Sequence, residues 1–291
     1  MNERHLPVMI REVIEVLSPV EGGTYVDATV GLGGHAAMIL EKIGQTGRVV
    51  GIDRDDEALA RTTERLRDSR LILKKGSFSD LELLLHSEGM KDADGVLLDL
   101  GVSMMQLKDT GRGFSFLSKE RLDMRMDSSQ ELSAWDVVNG YSEKDLLRIL
   151  REYGEEYRSA RIVRSIVQER NKKSIDTCAE LAEIIFRSIG RHGKLNPATK
   201  TFQALRIEVN RELDELNKGL DASLRVLRTG GRLCVISYHS LEDRVVKHFI
   251  KENAKADRLK QLMKKPLVPG IEEIRANPSS RSAKLRGAEK L

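Results

Sequence analysis

Apolar positions fall into two patterns along the chain. Short unbroken apolar runs at Tyr25–Ala28, Arg48–Asp53, Arg70–Lys74 and Asp94–Asp99 are bounded by turn residues. Runs of that length read as strands buried on both faces. The intervening stretches instead space their apolar residues three and four apart. They predict an amphipathic helix ending at Leu17 before Pro19 and a second helix over Ala36–Ile43. Strands alternating with helices at this spacing imply an α/β fold with a doubly wound, mostly parallel sheet.

The next strand, Gly231–Ile236, begins about 130 positions after Asp99, several times a normal crossover. An inserted domain accounts for the gap, and its pattern is helical throughout. Ser142-x-x-Asp145 and Thr177-x-x-Glu180 are capping boxes ahead of apolar faces, and Gly190 fits a helix stop. This reading assigns residues 1–106 and 205–291 to the sheet domain and 107–204 to an inserted all-helical domain. Asn196-Pro197 opens a long helical region striped by Leu213, Leu216, Leu220, Leu224 and Leu227, which Gly230-Gly231 closes. A further helix runs to about Asn253. The tail, with Pro266, Pro269, Gly270 and Pro278, is expected to complete the sheet edge with extended segments.

Chemistry concentrates after the first strand. Gly31-Leu32-Gly33-Gly34-His35-Ala36 places three glycines between a strand and a helix, where backbone can approach a ligand and the helix start offers N–H donors. The pattern fits the permissive dinucleotide fingerprint, and Asp27 with Gly34 fits its S-adenosylmethionine (SAM) variant. Alone, the turn does not choose between NAD and SAM. Asp53 ends the second strand 20 positions beyond Gly33, the spacing of a ribose-binding carboxylate. Asp27, Asp53 and Asp99 all stand at carboxyl ends of strands, which suggests one ligand crevice.

Composition narrows the class. The 291 residues are 40% hydrophobic and 32% charged, as in a globular protein, and no apolar run approaches the roughly 20 residues of a membrane span. Cys178 and Cys234 read as buried thiols of a reduced, cytoplasmic protein, and six scattered histidines give no metal-ligand spacing, so no metal is expected. The net charge of +4 says little about partners. Lys255–Leu291, with ten Lys/Arg against four Asp/Glu, is the basic stretch suited to phosphate.

Six motifs in order are more specific. They are Asp27-Ala28-Thr29 with the glycine turn, Asp99-Leu100-Gly101-Val102-Ser103, Arg112-Gly113-Phe114-Ser115-Phe116, Leu122-Asp123-Met124-Arg125-Met126-Asp127, Thr199-Lys200-Thr201-Phe202-Gln203-Ala204 and His239-Ser240-Leu241-Glu242-Asp243. Together, from His5 to about Arg286, they resemble the family of bacterial 16S ribosomal RNA cytosine-N4 methyltransferases, the MraW type. The chain departs from that pattern at Met104-Met105 and Lys108. The resemblance implies a class I SAM-dependent core with a helical insertion that helps hold RNA. It implies the N4 amine of one decoding-region cytidine as the target, 16S rRNA within the small ribosomal subunit as the partner, and no membrane. Carried over, the cofactor contacts are Gly33, Gly34, His35, Asp53, Phe78, Asp99 and Gln106.

Asp99 is also the candidate catalytic acceptor, with a backbone carbonyl in Leu100–Ser103 as the alternative and His239 as a second candidate. Arg112, Phe114 and Arg125 are the expected RNA contacts, through phosphate pairing and base stacking. Core packing is an equal alternative for Phe114. A DNA amino-methyltransferase is disfavoured because Leu100-Gly101-Val102 replaces the proline-proline-aromatic run of those enzymes. An NAD dehydrogenase leaves the later motifs unexplained, and a catalytically dead assembly factor has no need of the intact glycine turn or Asp53.

Overall fold

The computed structural model describes residues 7–101, 111–191 and 196–291. The chain divides into two units, Met1–Gly101 with Leu213–Leu291, and Val102–Glu212.

The first unit is built on a seven-stranded sheet in the order β3-β2-β1-β4-β5-β7-β6. The strands are β1 (Thr24–Asp27), β2 (Arg48–Asp53), β3 (Leu71–Lys75), β4 (Ala93–Asp99), β5 (Leu227–Ser237), β6 (Leu259–Gln261) and β7 (Lys284–Lys290). The first five pair in parallel, whereas β7 lies antiparallel between β5 and β6. The basic tail does complete the sheet edge, as expected. Neighbouring residues serve opposite faces. Val26, Val50, Val96, Leu98, Leu233 and Val235 join one apolar cluster with Leu216 and Leu220. Tyr25, Val49, Leu97, Cys234 and Ile236 join another with Val13, Leu17 and Ile39. Both faces are therefore covered, which is why these strands read as continuous apolar runs.

Two expectations need correction. The glycine pair does not end a helix: the helix Glu212–Val226 runs directly into β5, and Gly230 and Gly231 lie inside that strand. There the pairing with β4 slips, from Ala93↔Leu227 to Gly95↔Arg232, and Gly230 takes a φ of +79° at the bulge. Nor is the preceding helical region continuous. It breaks at Arg211, left-handed with φ 49°, between Thr199–Asn210 and Glu212–Val226.

The second unit is helical. Its described helices are Ala134–Gly140, Glu143–Glu152, Ser159–Arg170, Cys178–Ile189 and Thr199–Asn210. They enclose a separate apolar core around Ile149, Ile162, Leu181 and Ile185. Sequence signals set their ends. Thr177 accepts from the Glu180 N–H, and the Glu180 carboxylate accepts from the Thr177 N–H at 2.9 Å. Ser142 likewise accepts from the Asp145 N–H, and Gly190 terminates Cys178–Ile189. The unit extends to Glu212 because Asn210 holds the loop before the first helix: its amide donates to the Met124 carbonyl and accepts from the Met126 N–H, both at 2.8 Å.

Trp135 is the only tryptophan and donates to Asp176 in this unit, so its fluorescence reports on the helical unit. Thr177→Ala removes one partner of the capping box. It is expected to lower the unfolding free energy followed by Trp135 by about 1 kcal/mol in urea, with Thr177→Ser retaining most of it.

Candidate active site

The chain leaves β1 in one direction to form β2 and β3, then returns to place β4 on the other side of β1. In an open parallel sheet, that reversal leaves a crevice beyond the carboxyl ends of the two strands. Asp27 ends β1 and Asp99 ends β4. Thr29 ties the ends together, its Oγ1 accepting the Asp99 N–H at 2.7 Å.

Asp27 is only 1% exposed, and its Oδ2 is buried without a hydrogen-bond partner. Its Oδ1 has a single long contact, to the Thr29 N–H at 3.4 Å. Burial pushes its pKa up to about 6, and the Asp99 charge adds to the rise. An under-satisfied buried carboxylate is suited to a cation brought by a ligand.

Asp99 is better supported. Tyr238, just beyond β5, donates its hydroxyl to Asp99 Oδ1 at 2.8 Å. Asp99 Oδ2 faces His35 Nδ1 at 3.7 Å, beyond hydrogen-bond distance. The other ring nitrogen of His35, Nε2, lies 2.8 Å from the Val8 carbonyl and must carry the hydrogen there. Burial holds the ring neutral by lowering its pKa, so the bare Nδ1 faces Asp99. Asp99 itself is pushed up to about 7 by burial, against the lowering effect of the Tyr238 hydrogen bond. It titrates near neutrality.

The glycine turn is fixed by packing from behind. A Cβ on Gly34 would come within 2.2 Å of Pro7, and one on Gly33, at φ 72°, within 2.8 Å of Thr62 and closer still to Leu66. Thr62 and Arg65 donate to the Gly31 and Leu32 carbonyls at 2.6 and 2.8 Å. Both glycines are thus demanded by neighbouring side chains, a reason the sequence did not disclose. The helix that follows is seven residues, Gly34–Leu40. Asp53 faces the same turn: Oδ2 accepts the Gly31 N–H at 2.8 Å and Oδ1 the Asp55 N–H at 3.0 Å. The Arg54 N–H also acts on this carboxylate, and of its roughly four acceptor positions one stays open to a hydroxyl.

Phe78 begins a short turn after β3 and is half-buried against the sheet core. One edge rests on Gly219, where a Cβ would meet the ring at 2.5 Å. The Arg54 guanidinium lies 5.5 Å from the ring centroid and is held by Glu215 at 2.5 Å. Ser77 and Ser79 also donate to Glu215. Burial works to raise the Glu215 pKa, yet the two serines and Arg54 hold it below its ordinary value. Ser103 and Gln106 lie outside the described residues.

Of the three expected RNA contacts, Phe114 follows the core-packing alternative, and the two arginines make contacts within their own loop. Phe114 is 7% exposed within the helical core. Arg112 donates to the carbonyls of Arg125 and Met126 at 3.1 and 2.6 Å. Arg125 grips Asp123 with two bonds of 2.8 Å and reaches the Ser128 and Gln130 carbonyls. These side chains brace their own loop, and an arginine that satisfies loop carbonyls is indistinguishable in sequence from one awaiting phosphate. His239 also has a structural task, capping the helix Ser240–Lys255 in a box with Glu242. Tyr238 was the residue missed. Its only signal was its place between a buried strand and the His239 motif.

The profile of the MraW methylase family matches residues 2–291. The chain belongs to that family. It is 48% identical over 292 residues to the ribosomal RNA small subunit methyltransferase H of Persephonella marina, covering 99% of each chain. The enzymes of the same name from a Sulfurihydrogenibium species and from Trichlorobacter lovleyi are each 47% identical, with 98–99% of their lengths covered. Among solved structures, a ribosomal RNA methylase from Streptococcus thermophilus is 14% identical, with a TM-score of 0.46 over 97% of this chain and 93% of that one. In this MraW-family chain the described helices include none long and apolar enough to cross a membrane.

The buried Asp27 gives a linkage test. Its folded-state pKa stands above the unfolded value, so the folded state binds the extra proton and stability falls as pH rises from about 4 through about 6. Asp27→Asn removes that cost. We expect urea unfolding followed by far-ultraviolet circular dichroism to show a gain of roughly 1–3 kcal/mol at pH 8, vanishing near pH 4.

Proposed function

We propose that this protein transfers a methyl group from SAM to the exocyclic N4 amine of a single cytidine in the decoding region of 16S rRNA, within the small ribosomal subunit. Family membership makes it a SAM-dependent methyltransferase of small-subunit ribosomal RNA. The finer reading is what the resemblance implies, and one observation supports the chemistry it needs: Asp99, a carboxylate pushed up to about 7, stands at the end of β4 beside an under-satisfied Asp27 and can act as a proton acceptor.

The residues present fit SAM. Asp53 keeps acceptor capacity for a ribose hydroxyl, and Phe78 offers a half-buried ring for adenine. Asp27 offers an unpartnered carboxylate oxygen to a positive charge, which would in turn favour its ionised form. When bound, SAM supplies an electrophilic methyl group on a positively charged sulfur. The cytosine amine is a poor nucleophile because its lone pair is delocalised into the ring. Ionised Asp99 accepts a hydrogen bond from that amine, favours a tetrahedral nitrogen and takes the proton it releases. His35, neutral and bound to Val8, keeps Asp99 free of a competing cation. Orientation of the amine toward the methyl carbon supplies the rest.

RNA contact falls to exposed side chains of the helical unit. Tyr157 is 95% exposed, and Arg161 and Arg164 follow it on the outer side of Ser159–Arg170. They can pair with phosphates, and the tyrosine can stack on an unpaired base.

Methyl transfer from labelled SAM to small subunits from cells lacking the protein is expected to yield N4-methylcytidine at one site. Asp99→Asn should bind SAM and lose about 10²-fold or more in kcat. Full turnover by that variant would remove Asp99 from the chemistry, and label in another nucleoside would overturn the substrate assignment. Replacing Arg161 and Arg164 with alanine should raise KM for the particle several-fold, leave kcat unchanged and reduce the salt dependence of binding by a slope of about one to two.

A further inference from the structure

We propose that Tyr238 is a positioning residue for methyl transfer, holding the Asp99 carboxylate by Oδ1 so that Oδ2 is the oxygen left to receive the substrate amine. The inference rests on the reading of Asp99 as acceptor. Its geometric basis is independent of that reading.

Strands β4 and β5 are parallel neighbours with Asp99 paired to Ile236, and the Leu100 N–H donates to the Ile236 carbonyl at 2.9 Å. This register brings Tyr238, two residues further on, beside the end of β4. Its ring lies against Gly101, where a Cβ would stand 3.3 Å from the ring and the backbone has a φ of +98°. Glu242 fixes the other side, accepting the N–H groups of Tyr238 and His239 at 2.8 and 3.2 Å. Ring, backbone and hydroxyl are therefore all held, and the hydroxyl reaches Asp99 Oδ1 at 2.8 Å.

Toward Asp99 the phenol acts as a donor. Burial and the adjacent Asp99 raise its pKa, so it stays protonated and is no base. A donor on one carboxylate oxygen favours the ionised form. Among the described residues, the other groups acting on Asp99 work against ionisation or are neutral. Glu242, from the helix Ser240–Lys255, raises its pKa, and Asp27 on β1 and Asp99 repel each other. His35, from the helix Gly34–Leu40, is held neutral. Glu273, from the helix Ile271–Ala276, acts on Tyr238 and His35. Among the described residues, Tyr238 is thus the side chain that keeps Asp99 usable as an acceptor near neutral pH.

The test is the pH profile of kcat for the full-length enzyme on small subunits at saturating SAM. In the native enzyme, activity falls on the acid side as Asp99 takes up its proton. Tyr238→Phe removes the donor, and its acid limb is expected to move up by about one unit. At pH 6.5 kcat then drops several-fold, recovering above pH 9, while KM for SAM stays within about twofold. An acid limb that does not move, with only thermal stability or KM for SAM altered, overturns the proposal. If the phenylalanine variant fails to fold, 3-fluorotyrosine at position 238 keeps the bulk and strengthens the donor. Its limb should move down, and no movement again overturns the proposal. Full activity in Asp99→Asn defeats the acceptor reading itself. An inactive Asp99→Asn with an unmoved Tyr238→Phe profile defeats only the role of Tyr238.

Discussion

The pairing of β1 with β4 is the constraint on which the site depends. It brings the ends of two strands from distant parts of the first unit side by side, each finished by an aspartate. Neither carboxylate is comfortable there. Asp27 lacks a partner on one oxygen, and each disfavours the other's ionisation. Such an arrangement costs stability and persists only because a packed sheet, covered on both faces, holds it in place. The surrounding contacts manage this discomfort: Thr29 joins the strand ends, Tyr238 occupies one oxygen of Asp99, and Val8 fixes His35 as a neutral neighbour.

The parallel half of the sheet was legible because strands buried on both faces leave apolar runs that nothing else in the chain resembles. β2 spans Arg48–Asp53 just as its apolar pattern indicates. Capping boxes were legible for an equally local reason, since the box is written in residues three apart. The edge was harder. β7 reads Lys-Leu-Arg-Gly-Ala-Glu-Lys, and its Arg286 is buried only because Asp243, on another element, receives it at 2.7 Å. No local pattern reveals such a pair. The break at Arg211 left no proline or glycine to mark it, and the bulge in β5 used glycines that looked like a helix stop.

The site divides in the same way. Asp27, Asp53 and Asp99 were visible because the end of a buried strand is a position that sequence can identify. The side-chain tasks around them were not. Whether Arg112 and Arg125 reach outward or brace a loop depends on which carbonyls fold back toward them. The glycine turn was read as making room for a ligand, yet Pro7, Thr62 and Leu66 already require those glycines. The partnership of Tyr238 with Asp99 is set by strand register, across 139 residues of chain.

That separation has a consequence for how the molecule is made. β4 is complete at Asp99, while its partner β5 begins at Leu227, with the helical unit encoded between them. On a ribosome adding about 5–20 residues per second, the inner edge of β4 waits on the order of ten seconds for the strand that covers it. During that interval Val96, Leu97 and Leu98 belong to an open edge, the feature most prone to pairing with another chain. The insertion that gives this protein its second unit therefore also sets the time over which its nascent sheet is most exposed to misassembly.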